Sequence, residues 1–237
     1  MKFFIVVFCF CLFKCIANTY SDDLPESFDW REKGAVLGTP TVPGIFCARS
    51  DWAYAIANAV ETQLFLTNGT LKSFSPQYIL DCCSFSDGCN NGPSIETAYA
   101  CLERNGGVNS QYSYFDGMQR PCFGGANLPI KFERWNKISE EELKRLLVTR
   151  GILNVMINGA NLHSYTGGIW LSDDCNKSNP DPWTVNLIGY GRENNTDYWI
   201  LKNWVDSSWG EGGFFRLIRN QNACGITDTV LVPMVVV

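Results

Sequence analysis

The cysteines constrain the fold of this chain more than any other feature of its sequence. Three of its 11 cysteines lie within the first 17 residues, which have the pattern of a secretion signal. The other eight are Cys47, Cys82, Cys83, Cys89, Cys101, Cys122, Cys175 and Cys224. An even number in an exported chain predicts a disulfide framework, although eight cysteines allow on the order of a hundred pairings. A zinc site is the alternative, but the chain has only one histidine and few closely spaced Cys pairs. We therefore expect disulfides, no metal and no other cofactor.

The predicted signal peptide covers residues 1–17. Lys2 is followed by an apolar run of 11 residues, 3–13, and then by the small residues expected before a cleavage site. That run is too short to span a membrane as a retained helix, which argues against the alternative of a membrane anchor. The sequence thus predicts an exported protein with no membrane association.

The charge of the mature chain is acidic. Without residues 1–17 it has 17 basic and 24 acidic residues, a net charge near −7. A surface of this sign argues against nucleic acid or an anionic membrane as a partner. We expect a monomer.

Hydrophobic periodicity predicts helices first and strands later. Helical patterns cover 51–66, with Ser50 or Asp51 as N-cap, and then 75–82, 93–104 and a stretch that a capping box opens at Ser139. Strand patterns cover 152–157, 184–190, 197–202 and 213–218. This order predicts an α+β protein with two lobes that meet near residue 130.

Collinear motifs run through most of the mature chain. They are Leu24 to Arg31 (LPESFDWR), Trp52-Ala53-Tyr54 with Glu61, Asp81-Cys82, Gly88 to Gly92 (GCNNG), Tyr165 to Trp170 (YTGGIW), Gly189-Tyr190-Gly191, Tyr198 to Asn203 (YWILKN), Trp209-Gly210-Glu211 and Asn222 to Ile226 (NACGI). On these residues the chain resembles the papain-like cysteine proteases, in their cathepsin-L-like branch. A weaker, local similarity to the mite group 1 allergens lies around 185–186 and 203–206.

The resemblance implies a papain-like domain over 18–237 with a cleft between two lobes. It implies a helical lobe over about 24–130, an antiparallel β-barrel-like lobe over about 131–220 and a C-terminal tail that crosses back. Only residues 18–23 separate the signal from the domain, so we expect no inhibitory pro-segment. It also implies three disulfides, Cys47–Cys89, Cys82–Cys122 and Cys175–Cys224. Cys83 and Cys101 are left over, and they either form a fourth bridge or include a buried thiol at Cys101.

The same resemblance locates the catalytic positions, and the reactive groups are missing from them. Counting back from Trp52 places Asp51 at the nucleophile, or Ser50 if the one-residue insertion lies on the other side. The position of the histidine base holds Trp183, whose indole cannot accept a proton. The oxyanion glutamine falls on Gly44, and only Asn203 of the polar set is retained. The cleft positions Asn91, Gly92, Trp204 and Val205 include three changes, since Gly92 alone matches the family.

These residues predict a secreted pseudo-protease that binds an unknown protein or peptide without cutting it, for instance as a decoy, by occupying a protease inhibitor or by modulating an immune protein. One alternative is a hydrolase that uses Ser50 or Asp51 as nucleophile. Another is a structural or storage glycoprotein. The only histidine, His163, is expected to face solvent or to be structural. Sequons predict glycosylation at Asn68, Asn176 and Asn194.

Overall fold

The structure is a computed structural model, and it describes residues 24–38, 47, 49–84, 88–90, 92–175, 178, 180–204 and 206–236. The predicted signal peptide and the predicted site residues Gly44, Asn91, Asn176 and Val205 lie outside the described residues. The helices are α1 (Asp51–Asn68), α2 (Pro76–Cys83), α3 (Ile95–Arg104) and α4 (Glu140–Arg150). The strands are β1 (Phe28–Asp29), β2 (Ile130–Asn136), β3 (Leu153–Asn158), β4 (Ile169–Trp170), β5 (Pro182–Glu193), β6 (Thr196–Lys202), β7 (Phe214–Ile218) and β8 (Thr229–Val235).

One sheet contains all eight strands. Hydrogen-bonded neighbours within the sheet follow the order β2-β8-β3-β5-β6-β7-β4. Strand β1 lies outside this order and pairs with β5. Every pairing is antiparallel except that of β4 with β7. The long strand β5 therefore has β1, β3 and β6 as partners, which fixes the position of its first residues against the helices. The predicted α+β class is confirmed.

Helix α1 is buried along most of its length because it runs between the other helices and the sheet. It contacts α2 on one side and strands β5 and β8 on the other. Gly69 follows with a left-handed φ of 75°, and its N–H bonds to the carbonyl of Phe65. A residue without Cβ adopts this conformation readily, so the helix ends there. This packing holds the N-terminal end of α1 against the start of β5.

The caps of α1 and α4 differ from the sequence expectation. Ser50 occupies the N-cap position of α1, but its side chain makes no capping bond and instead donates to the carbonyl of Cys47. At α4, Ser139 Oγ accepts the N–H of Glu142 as predicted. The described bonds include only this half of the capping box, and the Glu142 carboxylate lies 3.6 Å from Arg145 Nε.

Buried apolar side chains form two clusters. One joins α1, α2 and α3 and includes Trp52, Tyr78 and Leu102. The other fills the space between the sheet and α4. Trp30 and Ala35 belong to this second cluster, because β1 pairs with β5. The first residues of the predicted helical lobe, 24–130, thus pack on the side of the sheet.

Four disulfides join the eight cysteines. They are Cys47–Cys89, Cys82–Cys122, Cys83–Cys101 and Cys175–Cys224. Three are the pairs that the resemblance implies, and the fourth decides the question left open for Cys83 and Cys101. Such a framework is consistent with an oxidising secretory compartment. None of the helices within the described ranges combines the length and the apolar character needed to cross a membrane.

Candidate active site

Asp51 is the first residue of α1, and its carboxylate is turned into the interface with the sheet. Its side chain is buried, and Oδ2 accepts the backbone N–H of Thr184 on β5 at 2.7 Å. Burial raises the pKa of Asp51 to about 6, although the Thr184 N–H and the charge of Arg49 oppose the shift. The carboxylate is therefore part of a fixed contact between helix and sheet.

Ser50, the other candidate nucleophile, is fully buried. Its Oγ donates to the carbonyl oxygen of Cys47 at 2.9 Å, and its backbone N–H bonds to the same oxygen. Cys47 is itself fixed by its disulfide to Cys89. The hydroxyl of Ser50 thus closes a local turn ahead of α1.

Trp183 takes part in a hydrogen-bonded network at the start of β5. Its indole Nε1 donates to Asp181 Oδ2 at 2.8 Å. The other oxygen of that carboxylate accepts from Arg49 NH1 at 2.6 Å. Arg49 precedes α1 and Asp181 precedes β5, so this ion pair joins the two sides of the site in front of Asp51. The ring of Trp183 lies so close to Gly159 that a Cβ there would come within 2.7 Å of it.

Asn203 follows β6 and is buried, with its side chain turned back onto the chain. Its Oδ1 accepts the N–H of Trp204 at 2.9 Å, and its Nδ2 has no hydrogen-bond partner among the described residues. The indole of Trp204 stacks against Tyr54 of α1, with ring centroids 6.1 Å apart. The retained asparagine is therefore bonded to its own neighbour rather than to Trp183.

Gly92 packs directly on the indole of Trp52. A Cβ at this position would come within 2.3 Å of Trp52 Nε1, which donates to the carbonyl of Gly88 at 3.3 Å. A side chain at residue 92 is thus excluded by the indole of Trp52. This contact places the 88–92 segment beside the start of the helix.

A buried polar network lies about two to three turns further along α1. Asn58 Nδ2 donates to Asn186 Oδ1 at 3.0 Å, while Lys202 Nζ donates to Asn58 Oδ1 at 2.8 Å and to the carbonyl of Leu37 at 2.9 Å. Burial raises the pKa of Glu61 to about 7 and lowers that of Lys202 to about 8, and the charge of each opposes the shift of the other. This network connects α1 with β5 and β6 beneath the candidate site.

Other predicted residues lie away from this site. His163 is exposed, as expected. Asn68 at the end of α1 and Asn194 in the turn between β5 and β6 are both exposed, so their glycosylation stays a prediction that the surface permits. Within the described parts of the chain, no group of three or more His, Cys, Asp or Glu side chains could hold a metal ion.

Comparison with known proteins identifies the family. The model of papain family cysteine proteases matches residues 24–234. The chain belongs to this family. The curated relatives include cathepsin K of Mus musculus, 34% identical over 89% of this chain and 65% of that protein, and zingipain-2 of Zingiber officinale, 34% identical over 90% of this chain and 98% of that protein. A viral cathepsin of Lymantria dispar multicapsid nuclear polyhedrosis virus is 34% identical over 90% of this chain, and the match spans 60% of that protein.

Solved structures of the family agree with the fold. Digestive procathepsin L 3 of Tenebrio molitor larval midgut superposes with a TM-score of 0.78 at 30% identity, over 91% of this chain and 71% of that one. The chain spans 60% of the viral cathepsin, 65% of cathepsin K and 98% of zingipain-2. The papain-like α+β fold predicted from the motifs is confirmed.

Arg49 and Asp181 are two residues of this site that the sequence motifs did not predict. The structure brings both to the candidate site, beside Asp51 and Trp183. The sequence contained one indication of this ion pair: a basic residue lies just before α1 and an acidic residue just before β5, and these two elements meet at the site. Neither residue matches a family motif, so the resemblance gave no reason to select them.

Proposed function

We propose that this chain is a non-catalytic member of the papain family that binds a polypeptide in its cleft without cleaving it. The observation that carries the proposal is the identity and bonding of Trp183. Its indole nitrogen bears a proton and donates it to Asp181, so it offers no lone pair to a nucleophile. Without a general base, activation of a hydroxyl or thiol for attack on a peptide is lost.

The residue at the nucleophile position supports the same proposal. Asp51 is buried, and its carboxylate is engaged with Thr184 N–H. A carboxylate at the first position of a helix is favoured by the positive end of the helix dipole, so this residue has a structural role that needs no catalysis. The groups of such a site act as a unit, and removal of a complete triad lowers turnover by roughly a millionfold.

Hydrolysis through Ser50 or Asp51 is the competing function, and the contacts favour Asp51 over Ser50. The Ser50 hydroxyl is buried and its proton is donated to Cys47. Asp51 has a pKa raised to about 6, which keeps part of it protonated in mildly acidic solution. An acid with that pKa is a feasible proton donor, but a partner nucleophile is required for hydrolysis.

A direct assay distinguishes the two functions. The purified, disulfide-intact protein is incubated with fluorogenic peptide and ester substrates between pH 4.5 and 7.5, in parallel with the Ser50→Ala/Asp51→Ala double variant. We expect no turnover above the double variant at any pH, together with retention of peptides on the immobilised protein. Turnover that the double substitution abolishes would establish a hydrolase and overturn the proposal.

Secretion and glycosylation belong to the same proposal. The predicted signal and the four disulfides support export, and the exposure of Asn68 and Asn194 permits modification there. Digestion of the secreted protein with an N-glycosidase should lower its apparent mass. An unchanged mass would leave the export proposal in place and remove the glycan from it.

A further inference from the structure

The ion pair between Arg49 and Asp181 is asymmetric in how its two members are held. Asp181 is fixed by several other bonds: its Oδ2 accepts from Trp183 Nε1, its N–H donates to Asn158 Oδ1 at 2.9 Å, and its carbonyl accepts the N–H of Gly159 at 2.8 Å. The one side-chain hydrogen bond that Arg49 makes to the described residues goes to Asp181. Asp181 therefore has anchors that do not depend on Arg49, one to its carboxylate and two to its backbone.

The Arg49 side chain is held by this ion pair, whereas its backbone is anchored separately. Its N–H bonds to the carbonyl of Cys89 at 2.9 Å, and Cys89 is tied to Cys47 by a disulfide. The side chains of Arg49 and Asp181 are 35% and 36% exposed, so solvent reaches the pair. Exposed ion pairs of this kind are weak, since screening and side-chain entropy offset most of the attraction.

The charges around the Arg49 guanidinium determine which ligand groups could replace it at Asp181. Asp181 and Asp51 are the carboxylates near Arg49: the charge of Arg49 lowers the pKa of the buried Asp51, and that of Asp181 raises it. The partly exposed carboxylate of Asp181, beside the indole of Trp183 and with the buried Asp51 behind it, then suits a guanidinium or ammonium group. An anionic group would instead have to displace Asp181, which three other bonds hold.

We infer that Arg49 occupies, in the free protein, a site for a basic side chain of the bound polypeptide, and that Asp181 is the residue that recognises this side chain. The inference rests on the proposed non-catalytic binding function and names the class of ligand: a polypeptide segment with an exposed Arg or Lys. Arg49 acts as an internal substitute for that side chain. The net charge near −7 of the mature chain attracts such a ligand from a distance.

A small guanidinium compound tests the site without any peptide. Agmatine is titrated into protein labelled with ¹⁵N-tryptophan, and the Nε1–H signal of Trp183, assigned with Trp183→Phe, reports on Asp181. We expect Arg49→Ala to bind agmatine about two- to fivefold more tightly than the wild type, because an exposed internal competitor has been removed. Arg49→Lys is the matched control and should resemble the wild type. Equal affinity of wild type and Arg49→Ala, or retained binding in Arg49→Ala/Asp181→Asn, would overturn the inference.

Heptapeptides that differ only at a central Arg, citrulline or Glu extend the test to polypeptides by fluorescence anisotropy. The Arg peptide should bind best, and Asp181→Asn should weaken it to the level of the citrulline peptide. Binding of all three with equal affinity would support the proposed function and overturn the inference. Agmatine binding at Asp181 with no binding of any peptide would support a site for basic groups at Asp181. It would overturn the polypeptide-binding function.

Discussion

The carboxylate of Asp51 and the backbone N–H of Thr184 are 2.7 Å apart, and this hydrogen bond ties the first residue of α1 to the start of β5. The family places its nucleophile at the beginning of this helix, where the helix dipole favours an anion. In this chain the anion is a carboxylate that is already bonded across the interface. The position has kept its electrostatic setting and gained a structural contact.

The stability of the protein should depend on pH through Asp51. Its pKa is raised from 3.8 to about 6 in the folded state, so the folded protein binds more protons than the unfolded chain between these values. The contribution of Asp51 to the free energy of unfolding is therefore most favourable below pH 4 and is lost as the pH rises through 6. The loss is on the order of 3 kcal/mol for a shift of this size. Urea unfolding at intervals between pH 4 and 7 measures it.

Asp51→Asn isolates this effect from other groups. Its amide oxygen can still accept from Thr184, but it does not titrate. Glu61, whose pKa is also raised, titrates in an overlapping range in both proteins, so the difference between wild type and variant reports Asp51 alone. A difference that stays constant from pH 4 to 7 would contradict the prediction.

Gly159→Ala should destabilise the protein because the new methyl group meets the ring of Trp183. A Cβ at residue 159 would lie 2.7 Å from this indole. Overpacking of this kind costs about 1–3 kcal/mol. In the background of Trp183→Ala the same substitution should cost much less, and a double-mutant cycle by thermal unfolding measures the difference. An equal cost in both backgrounds would show that the backbone, and not the indole, excludes the methyl group.

Local patterns predicted most elements, and the exceptions have physical reasons. The strands at 152–157 and 184–190 are rich in buried β-branched residues and were found nearly in place as β3 and β5. Strand β2 was not predicted, since Lys131, Glu133 and Arg134 interrupt its apolar pattern. Strand β8 contains Pro233, which cannot donate to a ladder. Pro233 is tolerated because β3 pairs with β8 only at Val230 and Leu231, so no donor is required from residue 233 on the β3 side.

The sequence motifs predicted positions for the candidate site but not its contacts. The motif register located Asp51, Trp183 and Asn203, because collinear motifs fix the order of residues along the chain. Hydrogen-bond partners depend on side-chain geometry, which a register does not contain. Thus Ser50 was expected to cap α1 but bonds to Cys47, and the link between Arg49 and Asp181 spans 132 positions of sequence.

Loss of the Cys83–Cys101 disulfide should lower stability by about 3 kcal/mol. The bridge closes a loop with a sequence separation of 18 and joins the end of α2 to α3. A loop of this length reduces the entropy of the unfolded chain by roughly that amount. Cys83→Ala/Cys101→Ala tests it by urea unfolding under non-reducing conditions, with peptide mapping to verify the other three bridges. A loss below about 1 kcal/mol would mean that Cys82–Cys122, at the adjacent residue, already constrains the same segment.

Lys202→Met should be strongly destabilising, and its cost should grow with pH. The ammonium of Lys202 donates to Leu37 O and Asn58 Oδ1, and its charge favours the ionised form of the buried Glu61. Removal of one member of a buried charged pair costs about 3–5 kcal/mol, because the other charge is left unopposed.

The pH dependence follows from Glu61. Without Lys202 its pKa should rise above the present value of about 7, so at pH 6 the carboxyl is protonated and the penalty is small. At pH 7.5 the folded variant must either keep that proton or bury an unopposed charge, and either choice lowers stability. Glu61→Gln/Lys202→Met removes the titrating group, so it should lose less stability at pH 7.5 than the single variant. Equal losses for Lys202→Met at pH 6 and pH 7.5 would mean that the lost hydrogen bonds to Asn58 and Leu37, rather than the charge of Glu61, set the cost.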